Sequence, residues 1–211
     1  MSEEMGLFEA IYNCRAMRRL DTREVPEELL IKLIDAANQA PSGGNTQNAR
    51  WIAVRDPTVK QRLTELNRKG VEGYMSHQPA ADSGALPHQD PKRWERMFNA
   101  VLWQMEHMHE IPVLIIACLE FGAKVSPDTI RASGGSIWPG VQNLLLAARA
   151  LGLGATPTTL ALLDHDAFAA ALNLPETMAA YCMIPVGYPT GKFGPVSRRP
   201  VEEIMRFDTW K

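Results

Sequence analysis

At 211 residues with 45% hydrophobic side chains, the chain has ample material for a large core. Its 22 basic and 24 acidic residues leave a formal net charge of -2, which gives no electrostatic footprint for nucleic acid or an anionic membrane. Cys14, Cys118 and Cys182 are widely separated and odd in number, so they offer neither a disulfide framework nor metal-ligand spacing and suit a reducing compartment. The acidic start Met1-Ser2-Glu3-Glu4 lacks an export signal, and no apolar run approaches membrane-spanning length. The expectation is a cytoplasmic protein.

Leu7, Phe8, Ile11 and Tyr12 share one helical face, which predicts a short helix from about Met5 to Cys14. It empties into Arg15-Ala16-Met17-Arg18-Arg19, which reads either as a solvated basic patch or as an anion site built from guanidinium forks. Pro26 opens the next helix, with Glu27 and Glu28 favouring its dipole and Leu29, Leu30, Leu33, Ile34 and Ala37 forming its apolar stripe.

Pro41 ends that helix, and Pro41-Ser42-Gly43-Gly44-Asn45-Thr46-Gln47 then runs toward an apolar strand, Trp51–Val54. Taken alone, this stretch is an ordinary connector or a loop that cradles a flat polar ligand; the two glycines allow a close backbone approach and Asn45 and Gln47 offer uncharged amides. Asp56-Pro57 starts a helix carried by Val59, Leu63 and Leu66 to about Lys69. From 70 to 90 the pattern stops among glycines and prolines, which predicts an irregular lid or arm.

Asp90-Pro91 restarts a helix whose stripe of Trp94, Met97, Phe98, Val101, Leu102 and Met105 reads as buried, in the core or at a subunit interface. His107, His109 and Glu110 do not make a zinc motif, because Val113 stands where the second histidine is needed. The wholly apolar run Pro112–Leu119 predicts a strand buried on both faces. An apolar helix follows from Ser136 to Leu151, then a short helix from Asp164 to Leu172 and a last strand, Tyr181–Tyr188. The glycines of Gly152-Leu153-Gly154 follow a helix instead of a strand, which rules out a dinucleotide fingerprint. Gly187-Tyr188-Pro189-Thr190-Gly191-Lys192 is one residue short of a phosphate-binding loop of the Walker type, and Phe193 replaces its Ser or Thr. Strands separated by helices, without repeat or linker, predict one α+β domain over 1–211.

Six segments, taken together and in order, resemble the FMN-dependent nitroreductase family. They are Arg15–Arg19, Pro41–Gln47, Ser136-Ile137-Trp138-Pro139-Gly140-Val141-Gln142-Asn143, Leu151–Gly154, Pro185–Pro189 and Arg198-Arg199-Pro200. The resemblance implies a nitroreductase-like fold, with a central mostly antiparallel sheet flanked by helices, in an intertwined homodimer holding two FMN sites between subunits. It places Arg15 and Arg198 on the FMN phosphate, with Ala16 and Met17 in the same segment, and Arg18 beside the ribityl chain or the pyrimidine edge. Pro41, Ser42, Gly43, Asn45 and Gln47 would reach the flavin of the other subunit. Ile137 and Trp138 would lie beside the ring, Thr158, Thr159 and Leu160 would offer backbone groups near N5, and Gln104 would meet the pyrimidine edge.

The implied activity is transfer of a hydride from NADPH or NADH through FMN to a nitroaromatic or quinone-type acceptor, by a ping-pong mechanism. Reductive dehalogenation, ene reduction, dehydrogenation or plain FMN binding are alternatives on the same scaffold. No catalytic side chain is required, because the cofactor carries the hydride chemistry. The sequence departs from the family at Cys14 and Ala16, where relatives carry an arginine and a serine, so Arg19 or Arg199 is expected to compensate. It departs again at Asn48-Ala49, in place of the usual Pro-Trp.

Overall fold

The computed structural model describes residues 5–76, 90–124 and 126–210. Its helices in the first half are α1 (Leu7–Asn13), α2 (Glu27–Asn38), α3 (Pro57–Ser76) and α4 (Pro91–His107). Then come α5 (Pro127–Ala132), α6 (Trp138–Ala150), α7 (His165–Ala171) and α8 (Val201–Ile204). Four strands, β1 (Ala49–Val54), β2 (Val113–Glu120), β3 (Gly154–Ala155) and β4 (Met178–Gly187), form one sheet in the order β1-β2-β4-β3. Every pairing is antiparallel. Among the described residues no helix is long and apolar enough to cross a membrane.

The apolar run read as a doubly buried strand is β2, which lies between β1 and β4 and is buried from Val113 to Leu119. Its side chains alternate between two cores, as a period of two requires. Val113, Ile115 and Ala117 join Leu33 of α2 and Val141 and Leu144 of α6 on one face. Leu114, Ile116 and Cys118 join Leu63 of α3 and Phe168 of α7 on the other. Pro26 caps α2 and Pro41 follows its end, as expected from a ring that fixes φ.

Two readings of the sequence need correction. Helix α3 does not end at Lys69 but runs to Ser76. Gly70 lies inside it because a Cβ there would overlap the carbonyl of Leu160, so the glycine permits close packing and does not break the helix. The expected irregular segment at 70–90 is therefore helical at its start, and residues 77–89, with His77 and His88, lie outside the described residues.

The apolar stripe of α4 is not buried within one chain. Met97 is 39% exposed, and Trp94, Phe98, Val101, Leu102 and Met105 are half-covered, because α4 packs mainly on α3 and the 3₁₀ turn that follows it. The face predicted for α1 is likewise open. Leu7 and Phe8 are 64% and 68% exposed, and only Ala10 packs inward.

Candidate functional site

Past Asn13 the chain leaves regular structure, and three backbone hydrogen bonds fix its path. Met17 N–H donates to the Ala155 carbonyl at 3.4 Å, Thr190 N–H to the Arg19 carbonyl at 3.1 Å, and Asp21 N–H to the Tyr188 carbonyl at 2.9 Å. Leu20 bridges Pro189. This approach depends on Gly154, where a Cβ would stand 2.8 Å from the Met17 Cβ and 2.6 Å from Leu20 Cδ2. Farther on, Val196 N–H donates to the Tyr12 carbonyl at 2.9 Å, drawing the C-terminal segment across the arginine cluster.

The two arginine-bearing ends of the sequence thus meet in one cleft of ≈ 890 Å³. Arg15, Ala16, Met17, Arg18 and Arg19 line it from one segment, and Lys192 and Arg198 from the other. Arg93 and Arg96 of α4 join them, and no carboxylate is among the described lining residues. Arg18 is half-buried without a hydrogen bond or ion pair among the described residues, and burial pushes its guanidinium below the ordinary value. An anion beside it would offset that desolvation. Seven described cations with no described carboxylate among them suit a phosphate monoester, which carries about two negative charges near neutrality.

Gln104 lies on the α4 face that presents Arg93, Met97 and Ala100 to the cleft, since these positions are spaced by three and four residues. It is only 5% exposed, and its Nε2 is buried with no hydrogen-bond partner among the described residues. An orphaned buried amide costs about 1–3 kcal/mol, which a polar group from a ligand or a partner chain would offset. A phosphate-binding cluster with an unpartnered amide farther along fits FMN, which is anionic at one end and has amide-like edges at the other.

The other expected contacts lie elsewhere in the single chain. Pro41 follows α2, and the loop after it is folded on itself, with Gln47 N–H donating to Ser42 Oγ at 3.0 Å. Gly43 N–H donates to Ser136 Oγ at 3.0 Å, and Gly44, Asn45 and Gln47 adopt left-handed φ of 59°, 52° and 50°. None of these residues lines the arginine cleft. Ile137 is fully buried in the core, so its side chain is not available to lie beside a flavin ring; Trp138 remains 40% exposed.

Thr158 already uses its groups within the chain. Its N–H and carbonyl pair with Met183 at 2.8 and 3.0 Å, and its hydroxyl donates to Asn67 Oδ1 at 3.1 Å. Leu160 N–H makes a long 3.4 Å bond to the Thr158 hydroxyl, while Thr159 is exposed. Arg199, expected to compensate for Cys14, points instead to Glu203 at 2.9 Å and is absent from the cleft lining. Arg19 does line it.

Sequence reasoning missed Arg93, Arg96 and Lys192. The arginines are a cationic pair one turn apart on α4, and the apolar stripe beside them is the stronger signal in the sequence. Lys192 was visible in the rejected phosphate-loop match. His107 pairs with Glu110 at 3.0 Å, and among the described residues no group of His, Cys, Asp and Glu could hold a metal ion.

Residues 11–188 match the Nitroreductase family, and the chain belongs to it. An iodotyrosine deiodinase from Thermotoga neapolitana is 28% identical over 207 residues, spanning 97% of this chain and 98% of the relative. An NADH dehydrogenase from Thermus thermophilus is 28% identical over 197 residues, 90% of each chain. Among solved structures, an oxidised iodotyrosine deiodinase bound to FMN and 3-iodo-L-tyrosine aligns at 26% identity over 97% of this chain and 100% of that one, with a TM-score of 0.75. The fold is that of nitroreductases.

Proposed function

We propose that the chain is an FMN-dependent oxidoreductase that takes reducing equivalents from NADPH or NADH. The observation that carries this reading is the cleft where Arg15–Arg19 meet Arg198, with no carboxylate among its described lining residues. When bound, FMN supplies the hydride chemistry, from NAD(P)H to a nitroaromatic or quinone acceptor in a ping-pong sequence. Arg15 and Arg198 hold its phosphate, with Arg19 as the added cation. Arg18, half-buried and unpaired among the described residues, would place a fixed positive charge beside the bound ring. Gln104 would offer its amide to the ring edge.

The site is completed by a second copy of the chain. The loop Pro41–Gln47, with Trp138 and the backbone at Thr159, lies off the arginine cleft and serves the partner's flavin. Apolar side chains left open on α1 and in the tail, Phe8 and Phe207 among them, supply the surface for that association.

A second reading for the acceptor is favoured by the near full-length match to a chain named iodotyrosine deiodinase. Here the same bound flavin serves reductive dehalogenation. Anaerobic mixing of the yellow protein with NADPH or NADH tests the main reading, which requires the flavin to bleach. Absence of flavin, or failure of both donors, would sink it. Reoxidation of the reduced protein by nitroarenes and quinones but not by halogenated phenols supports the first acceptor class, and the reverse supports dehalogenation.

A further inference from the structure

We propose that Arg93 and Arg96 form a second anion site in the cleft, one that takes the carboxylate or phosphate of a small-molecule substrate. This deepens the reading above and rests on it for what happens to the molecule once bound. A phosphate monoester with about two negative charges is already matched by Arg15 and Arg198, with Arg18, Arg19 and Lys192 beside them. Arg93 and Arg96 come from a different element, helix α4, and carry no ion pair among the described residues.

The sequence of α4 denies them internal partners. The positions three and four residues from Arg96 are Lys92, Arg93, Asn99 and Ala100. For Arg93 the nearest candidate is Asp90, whose side chain instead accepts from the Arg93 backbone N–H at 2.8 Å as the helix cap. Other arginines of the chain, by contrast, are held by carboxylates. Arg68 binds Glu65 and Glu72 at 2.6 Å each, and Arg199 binds Glu203 at 2.9 Å. Like charges at Lys92, Arg93 and Arg96 are mildly destabilising on one helix, which an external anion would reverse.

Beyond the two arginines the same face becomes apolar at Met97 and Ala100, which line the cleft, and ends at the buried amide of Gln104. From Arg96 to Gln104 the helix rises about 12 Å. An anionic head held by guanidinium forks and a planar apolar body over Met97 would fit this order. Two molecules of the proposed reaction could bring such a group: an acceptor bearing a carboxylate, or the nicotinamide donor bearing an extra phosphate.

Calorimetric titration of the purified protein separates the sources without turnover. The probes are 4-nitrobenzoate against its methyl ester, and NADP+ against NAD+. In the Arg93→Gln/Arg96→Gln protein, the preference for 4-nitrobenzoate over the ester is expected to fall about tenfold if the acceptor carries the anion. The preference for NADP+ over NAD+ is expected to fall instead if the donor does. Arg93→Lys/Arg96→Lys should restore part of the lost preference, since the charge returns without the fork. The proposal is overturned if the unsubstituted protein prefers neither anionic probe, or if both ratios survive the glutamine substitutions. It is overturned too if those substitutions release flavin with unchanged ratios, which would assign the arginines to the FMN phosphate. Because binding is read directly, a protein that holds the anion but is not bleached by NAD(P)H fails the functional reading and keeps the anion site.

Discussion

Gly70 of α3 lies against the main-chain carbonyl of Leu160, with no room for a Cβ between them. The contact seats the helix on the 3₁₀ turn Leu160–Leu163 and places Asn67, one turn earlier, within 3.1 Å of the Thr158 hydroxyl. Gly70→Ala is expected to destabilise the protein by about 1–3 kcal/mol, because either the helix or the turn must move. Gly73 sits in the same helix with no described atom within 4 Å of a Cβ, so Gly73→Ala should stabilise by about 0.5–1 kcal/mol. Urea denaturation of the two variants gives the comparison, and equal midpoints would show that the helix is not held against the turn.

Arg198 joins Arg15 in the cleft, whereas its neighbour Arg199 is occupied by Glu203. Arg198→Ala should therefore weaken FMN binding by about 10- to 100-fold, and Arg199→Ala by much less. Flavin absorbance remaining after exhaustive dialysis measures both. Equal retention in the Arg198 variant and the parent protein would remove that arginine from the phosphate site.

Phe8 and Tyr12 stack at 6.2 Å between ring centroids on the open face of α1, and Phe207 of the tail is 81% exposed. If these faces are covered by a second copy, Phe8→Glu combined with Phe207→Glu should shift the sedimenting species from dimer to monomer. Such a shift should lower flavin occupancy as well, because the loop Pro41–Gln47 would no longer reach the partner. An unsubstituted protein that sediments as a monomer at micromolar concentration would reject the shared site.

Cys118 of β2 and Cys182 of β4 are fully buried, and burial pushes both thiols up to about 12 from an ordinary 9.0. The folded state therefore keeps two protons that the unfolded chain releases. Their contribution to stability is full below pH 9.0 and is lost as pH rises toward about 12. The decline is at most about 1.4 kcal/mol per pH unit for each thiol. Urea midpoints followed between pH 8 and 11 should fall less steeply in Cys118→Ala/Cys182→Ala than in the parent, and parallel slopes would contradict the assignment.

The local code of the chain was clear wherever one physical cause dominated. The unbroken apolar run of β2 could only be a strand covered on both sides, and Pro26, Asp56 and Asp90 marked helix starts through fixed φ or capping. Arg15, Arg18, Arg19 and Arg198 stood out as cations by residue type, and the six ordered motifs resembled the family that residues 11–188 match.

Tertiary structure decided what distance along the chain hides. Gly70 looked like a terminator because propensity cannot register a carbonyl ninety residues away, and Ile137 looked available because burial depends on what packs over it. Arg198 and Arg199 are identical in sequence terms, yet only Arg198 enters the cleft, since α8 gives Arg199 a carboxylate four residues on. Arg93, Arg96 and Lys192 joined the site only when Leu20 met Pro189 and the tail crossed Tyr12, because an electrostatic site is a sum over space and not over sequence.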